Sequence, residues 1–231
     1  MDKNVKIAKQ LVRIAKMLVS NAGDDIESMS DDEKFKLAKN NTTSPEILEK
    51  LADNEYEAIR EAVVRNPNTP AEVLMKMAGD ERHWYVKHLI IINPKTPVEA
   101  LRKLAEDKDY RVRQSVANQP NTPTEVLMKL AGDKDWMVRK VVVRNPNTPA
   151  EALMKMAGDK NGDVKYEVAR NPRTPAEALI KMAGDEDMVV RREVARNPNT
   201  PTEVLKKLAM DEDEDDDVRV VAETKLRKRG L

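Results

Sequence analysis

The sequence predicts an all-α solenoid built from two-helix repeats of about 26 residues, and three observations predict it. The first is proline placement. Twelve of the 13 prolines form pairs three residues apart (Pro67/Pro70, Pro94/Pro97, Pro120/Pro123, Pro146/Pro149, Pro172/Pro175 and Pro198/Pro201), and only Pro45 stands outside them. The second is a threonine inside each pair. With Thr43 ahead of them, Thr69, Thr96, Thr122, Thr148, Thr174 and Thr200 recur at intervals of 26, 27, 26, 26, 26 and 26, which sets out seven units. The third is composition. At 40% hydrophobic, 3% aromatic and 35% charged, 231 residues hold too little bulky material for one compact core and must bury small faces between neighbours.

From the N-terminus, residues 1–22 predict an amphipathic helix, with Ile7, Leu11, Ile14 and Leu18 in an apolar stripe opposite Lys6, Lys9, Arg13 and Lys16. Charges interrupt it and no small-residue cleavage site closes it, so it does not match a signal peptide. It is expected to cover the open end of the stack, with a weak contact to a membrane or a partner as the alternative. A second helix starts at the capping box Ser30-Asp31-Asp32-Glu33 and runs through Phe35, Leu37 and Ala38, completing an N-terminal helical cap over residues 1–42.

Residues 43–199 are six repeats. In each, a string such as Thr69-Pro70-Ala71-Glu72 predicts a helix start, with the hydroxyl at the N-cap, proline at the first helical position and Glu closing a capping box. Glu46, Glu72, Glu99, Glu125, Glu151, Glu177 and Glu203 fill that last place in all seven units. Val73, Leu74, Met77 and Ala78 then share one face of a helix of about ten residues. A turn such as Gly132-Asp133-Lys134-Asp135 follows. The second helix carries Val138, Val142 and Val143 on one side and Arg139 on the other, and stops at Arg144-Asn145-Pro146 because a residue before proline is pushed out of the α region. Residues 200–231 are the seventh repeat and a C-terminal cap, with an acidic turn at 211–217 and a last helix closed by Arg227-Lys228-Arg229-Gly230. Neither helix of a unit is long enough to be stable alone.

The string Val190-Arg191-Arg192-Glu193-Val194-Ala195-Arg196-Asn197-Pro198-Asn199-Thr200-Pro201, with Leu205 and Leu208-Ala209 after it, resembles the leucine-rich repeat variant family over roughly residues 43–222. The resemblance implies a right-handed superhelical solenoid in which each unit pairs an α-helix with a short α- or 3₁₀-helix. Segments such as Asp107-Lys108-Asp109-Tyr110-Arg111-Val112-Arg113 are also similar to HEAT repeats. A founding type in the family carries an N-terminal cysteine-ligated iron–sulfur domain; a chain without cysteine has no such domain.

The chemistry open to this chain is narrow. Without cysteine there is no disulfide, thiolate zinc site or cysteine-held cluster, and His83 and His88 are the only imidazoles. No Ser/His/Asp arrangement, glycine-rich phosphate loop or paired-histidine spacing is present, so neither an enzyme nor a cofactor is expected. The turn acids Asp80, Asp107, Asp133, Asp159, Asp185 and Asp211, and the cations Arg60, Lys87, Arg113, Arg139, Lys165, Arg191 and Arg219, recur in nearly every unit, which fits a structural ladder in which the Asp caps helix two and pairs with the cation. The Asp-x-Asp pairs lack the Gly and terminal Glu of a calcium loop.

Recognition is expected where the frame is constant and the side chain varies. Two residues before the helix-two valine, Trp84, Tyr110 and Trp136 give three consecutive units an aromatic at one place, either a partner-contact stripe or rings covering the turns. Two residues after that valine stand His88, Gln114 and Tyr166, and His83 neighbours Trp84. The expected function is a non-catalytic scaffold for an unidentified protein partner, monomeric and cytoplasmic. The alternative is a superhelix that binds nucleic acid, against which stand 41 basic and 41 acidic residues.

Overall fold

The computed structural model describes residues 26–80, 83–210 and 216–231. The expected helix over 1–22 and residues 211–215 of the acidic turn lie outside them. Among the described residues there are fifteen α-helices and no strand. They are α1 (Asp31–Lys39), α2 (Pro45–Leu51), α3 (Glu57–Arg65), α4 (Ala71–Asp80), α5 (Trp84–Ile92), α6 (Val98–Leu104), α7 (Tyr110–Asn118), α8 (Thr124–Leu130), α9 (Trp136–Arg144), α10 (Ala150–Met156), α11 (Gly162–Arg170), α12 (Ala176–Met182), α13 (Met188–Arg196), α14 (Thr202–Met210) and α15 (Asp216–Lys228). From α2 onward the even-numbered helices are the first of a repeat and the odd-numbered the second, and both are α-helical. The expected all-α repeat solenoid is what forms.

Contacts divide the chain into two compact units, one ending at Val112 and one starting at Arg113, inside α7. In the first, α1, α3 and α5 pack in series and α4 packs on α6. In the second, α9, α11, α13 and α15 form one layer, and α8, α10 and α12 a facing one. Each core is a set of rows. Leu127, Leu153, Leu179 and Leu205 on first helices and Val138, Val164, Val190 and Val218 on second helices are all fully buried. Each buried leucine contributes roughly 1.5–3 kcal/mol, which holds together helices that mostly run seven to nine residues and are marginal in isolation.

The helix starts differ from the expectation. At α6, α8, α10 and α12 the proline is the N-cap itself, extended at ψ near 150°, and the threonine before it makes no cap bond. Its hydroxyl points back instead. Thr43 donates to Leu37 O at 2.6 Å, while Thr69, Thr122 and Thr174 donate to the carbonyl six residues upstream at 2.5 Å, and Thr96, Thr148 and Thr200 bond likewise. The physical reason is that helix two stops abruptly at Asn-Pro, leaving last-turn carbonyls without partners, and the threonine is the nearest donor. Five of the first helices, α2, α6, α8, α10 and α12, are also shorter than the expected ten, seven residues each, because the last turn tightens, as in Gly132 N–H to Lys129 O at 3.0 Å. The capping box at Ser30 and the glycine cap at Gly230 form as expected. Ser30 N–H donates to Glu33 Oε2 at 3.0 Å. Gly230, at φ 76°, closes α15 with Leu231 N–H on Leu226 O and Gly230 N–H on Arg227 O, a left-handed cap that glycine alone adopts cheaply.

Candidate interaction surface

The frame that presents this surface is a set of polar ladders. Arg113 donates to Asp133, twenty residues on, at 2.6 and 2.8 Å, and Arg139 to Asp159 at 2.5 and 2.7 Å. Lys165 reaches both oxygens of Asp185 at 2.8 Å, and in the first unit Lys87 pairs with Asp107. The expected double duty of this Asp is divided between two residues. The ladder acid accepts only the N–H two residues on, and that next residue caps helix two: Asp135 accepts from Met137 N–H at 2.8 Å, Asn161 from Val164 at 3.3 Å and Asp187 from Val189 at 2.8 Å. The split follows from reach, because a carboxylate turned toward the previous unit's cation has no oxygen left over the helix start.

Burial is the largest influence on the Asp133 and Asp159 carboxyls and pushes them up. Hydrogen bonds from Arg113 and Arg139, backbone amides and the neighbouring positive charges together outweigh it, so both lie below the ordinary aspartate value. Conversely, the Asp159 hydrogen bond lifts the Arg139 guanidinium above its usual value.

A second ladder was not foreseen. Asn145 Nδ2 donates to Ala117 O at 2.7 Å and Gln119 O at 2.9 Å, and its Oδ1 accepts Asn147 N–H at 2.8 Å. Asn66 and Asn197 repeat the pattern onto Ala38 and Asn40 and onto Ala169 and Asn171. The signal was present as Asn before proline at the 26-residue period, read above only as a helix stop.

On this frame Trp84, Tyr110 and Trp136 are each the first residue of a second helix, half-buried, rather than part of the loop before it. In the first unit Arg111 lies over the Trp84 ring with its guanidinium carbon 4.6 Å from the centroid, and Tyr85 meets the same ring edge-on at 5.7 Å. His88 stacks on Tyr85 at 6.2 Å, Arg65 donates to the Tyr85 hydroxyl at 3.1 Å, and exposed His83 sits with Nδ1 2.7 Å from Glu57 Oε1. Trp84, His83 and His88 therefore join one aromatic and charged cluster, with Tyr85, Arg111 and Glu57 as members that sequence reasoning missed. The adjacency of Tyr85 to Trp84 and its helical spacing from His88 was the available signal. In the second unit Lys140 lies 5.5 Å from the Trp136 centroid, and Gln114 and Tyr166 are half-buried on α7 and α11.

Such a cluster offers ring faces, hydrogen-bond donors and balanced charge. Among the described residues no three His, Asp or Glu side chains are placed to hold a metal ion, and no helix is long and apolar enough to cross a membrane.

The family model described as leucine rich repeat variant matches residues 57–82, 110–135, 136–161 and 189–213. Three of the matches span 26 residues and the last 25, and each begins at or beside the start of a second helix, so the matched unit runs from helix two to helix one. Among solved structures the chain is similar to one described as a leucine-rich repeat variant with a novel repetitive protein structural motif, at 23% identity over 85% of this chain and 86% of that one, with a TM-score of 0.44. It is also similar to an engineered protein at 22% identity (94% and 67% covered, TM-score 0.40) and to a designed armadillo repeat protein at 15% (93% and 98%, TM-score 0.29). No curated protein matches the chain.

Proposed function

We propose that this chain, whose segments 57–82, 110–135, 136–161 and 189–213 match the leucine-rich repeat variant family, is a non-catalytic scaffold that binds a partner protein through side chains on its second helices. One observation carries the reading. The ladder residues recur from unit to unit while the positions flanking the buried β-branched residue of helix two, Ile59 or Val86, change from Glu57 and Glu61 to Trp84 and His88 on one constant frame. A fixed frame with variable outward positions is how a repeat protein acquires a binding face without altering its fold. The contact surface assigned to the first unit is Trp84 and Tyr110 with His83 and His88. Trp136, Gln114 and Tyr166 are assigned a corresponding role in the second. Trp and Tyr supply large, rigid contact area and dominate interface energetics.

The experiment is capture of proteins from a cell extract by the full chain and by Trp84→Ala/Tyr110→Ala. Hot-spot truncation costs about 2 kcal/mol or more in binding, roughly thirtyfold, whereas loss of a cation–π contact at a partly exposed site costs the fold about 1 kcal/mol. The captured protein should therefore be lost while cooperative unfolding persists. A variant that unfolds but still captures its partner would assign the rings to structure alone. Retention of single-stranded nucleic acid in place of any protein would replace the scaffold reading with the nucleic-acid one.

A further inference from the structure

The second unit has an open cleft of about 350 Å³ at the C-terminal ends of α9 and α11, where three arginines, Arg144, Arg170 and Arg173, face one carboxylate, Glu167. The repeat register explains the surplus. Arg144 and Arg170 occupy the same last-turn position one period apart. Arg144 reaches forward 23 residues to Glu167, which is largely buried. The equivalent acid for Arg170 is Glu193, and Glu193 is engaged instead by Arg196 of its own helix at 2.6 Å. Arg170 is exposed and has no ion-pair partner among the described residues. Arg173 is a second departure. It stands where Asn147 and Asn199 turn their amides back onto the carbonyls of Pro120 and Pro172, and its exposed side chain makes no such bond among the described residues.

We propose that this cleft binds an acidic segment of the partner protein, with carboxylates received chiefly by Arg170 and Arg173 and, along the row, by the half-exposed side chains of Arg144 and Arg196. The proposal rests on the scaffold reading and gives that partner its chemistry. Arginine suits the task because its planar fork takes a carboxylate through two parallel hydrogen bonds. Spacing sharpens the ligand. Packed helices lie roughly 10 Å apart, so Arg144, Arg170 and Arg196 recur at about that interval. A polyproline II strand returns to the same face every three residues over about 9 Å. Acids at every third residue therefore meet the arginine row, and acids at alternate residues do not. A nucleic-acid backbone fits less well, since Glu167 and Glu193 stand between the arginines and interrupt the positive field that a continuous phosphate chain needs.

Fluorescence anisotropy on the full chain tests this with (Glu-Pro-Pro)₄, with the same residues reordered to place Glu at alternate positions, and with an oligothymidylate. The first peptide should bind about tenfold tighter than the second, and its affinity should fall steeply with added salt. Arg170→Gln/Arg173→Asn, which installs at 173 the residue other units carry, should weaken that binding about tenfold with an unchanged melting temperature. Equal binding by parent and variant, or equal binding of the two peptides, would overturn the proposal. So would an oligothymidylate that binds more tightly than either peptide and depends on the same arginines. The scaffold reading is checked separately in the same preparations. If Trp84→Ala/Tyr110→Ala still loses its captured protein while the peptides ignore the arginine variant, the cleft assignment alone fails.

Discussion

Arg139, a residue only 5% exposed, meets the Asp159 carboxylate with Nε and Nη2 and the Asp133 carbonyl with Nη1, so its charge is balanced and its donors are used on two sides. Such a pair need not stabilise the fold relative to apolar residues of the same shape, but removing one partner strands the other, at about 3–5 kcal/mol. Arg139→Ala should lower stability by roughly 3 kcal/mol in urea titration, and Arg139→Lys by less, because Lys165 serves Asp185 in the same register. Acid adds a signature. The Asp133 and Asp159 carboxyls titrate below their unfolded value, which lies near 3.9. Their contribution is therefore fully present above about pH 4 and is lost as pH falls through the depressed folded values. The urea midpoint of Asp133→Asn/Asp159→Asn should lie below the parent's at pH 7, and the gap should close below pH 4. A constant gap would show that these carboxylates are not what acid disrupts. At this scale the Asp–cation pairing was legible from its recurrence. The handover of capping to the next residue was not, because spacing fixes which residues are near and not where a side chain turns.

Helices here are bounded by proline and tied together by asparagine and threonine. Threonine gives a sharp test, since the two roles open to it demand opposite chemistry. An N-cap must accept, and Asp substitutes for Thr there with little cost. A hydroxyl bound to the buried Val142 carbonyl must donate, and an ionised Asp has no proton to give. Thr148→Asp should therefore cost about 3 kcal/mol or more as a buried charge against a carbonyl, measured by urea unfolding; a neutral effect would restore the capping role. Leu127→Ala, fully buried in α8, should cost about 2–5 kcal/mol. The number, order and buried faces of the helices were legible because their apolar positions repeat at helical spacing, and Val73, Leu74, Met77 and Ala78 are all buried as that spacing requires. The threonine role was not. The Thr-Pro-x-Glu text satisfies a capping pattern whether the hydroxyl looks forward or back, and only the orphan carbonyls of the preceding helix decide.

For the molecule as a whole, the period is the property from which the rest follows, and the limit of what sequence discloses about function follows from it too. A strictly repeated residue announces structure, as the ladder acids do. A residue that breaks the row announces something else, and Trp84 was visible on that ground. Arg170 was not, because it obeys the row and differs only in that Glu193 is engaged by Arg196. Periodicity also sets what the chain tolerates. Deleting residues 134–159 removes one whole period and places Lys160 after Asp133, as it follows Asp159 in the parent. Arg113 keeps Asp133, whose carboxylate gains the Asn161 amide in place of that of Asp135, and Asn171 finds the Ala117 carbonyl where it now uses that of Val143. The Asp and Asn ladders close again, while Glu167 meets Asn118 where it now has Arg144. The shortened chain should unfold in one cooperative transition, with a denaturant slope smaller by about a tenth, the share of 26 residues in 231. Deleting only residues 147–159 takes away half a period, joins one second helix to the next, and leaves Arg139 without Asp159 and Asn171 out of register. That chain should show no cooperative transition by circular dichroism. If the half-period deletion melted as sharply as the full one, the ladders would be decoration on helices that pack without them.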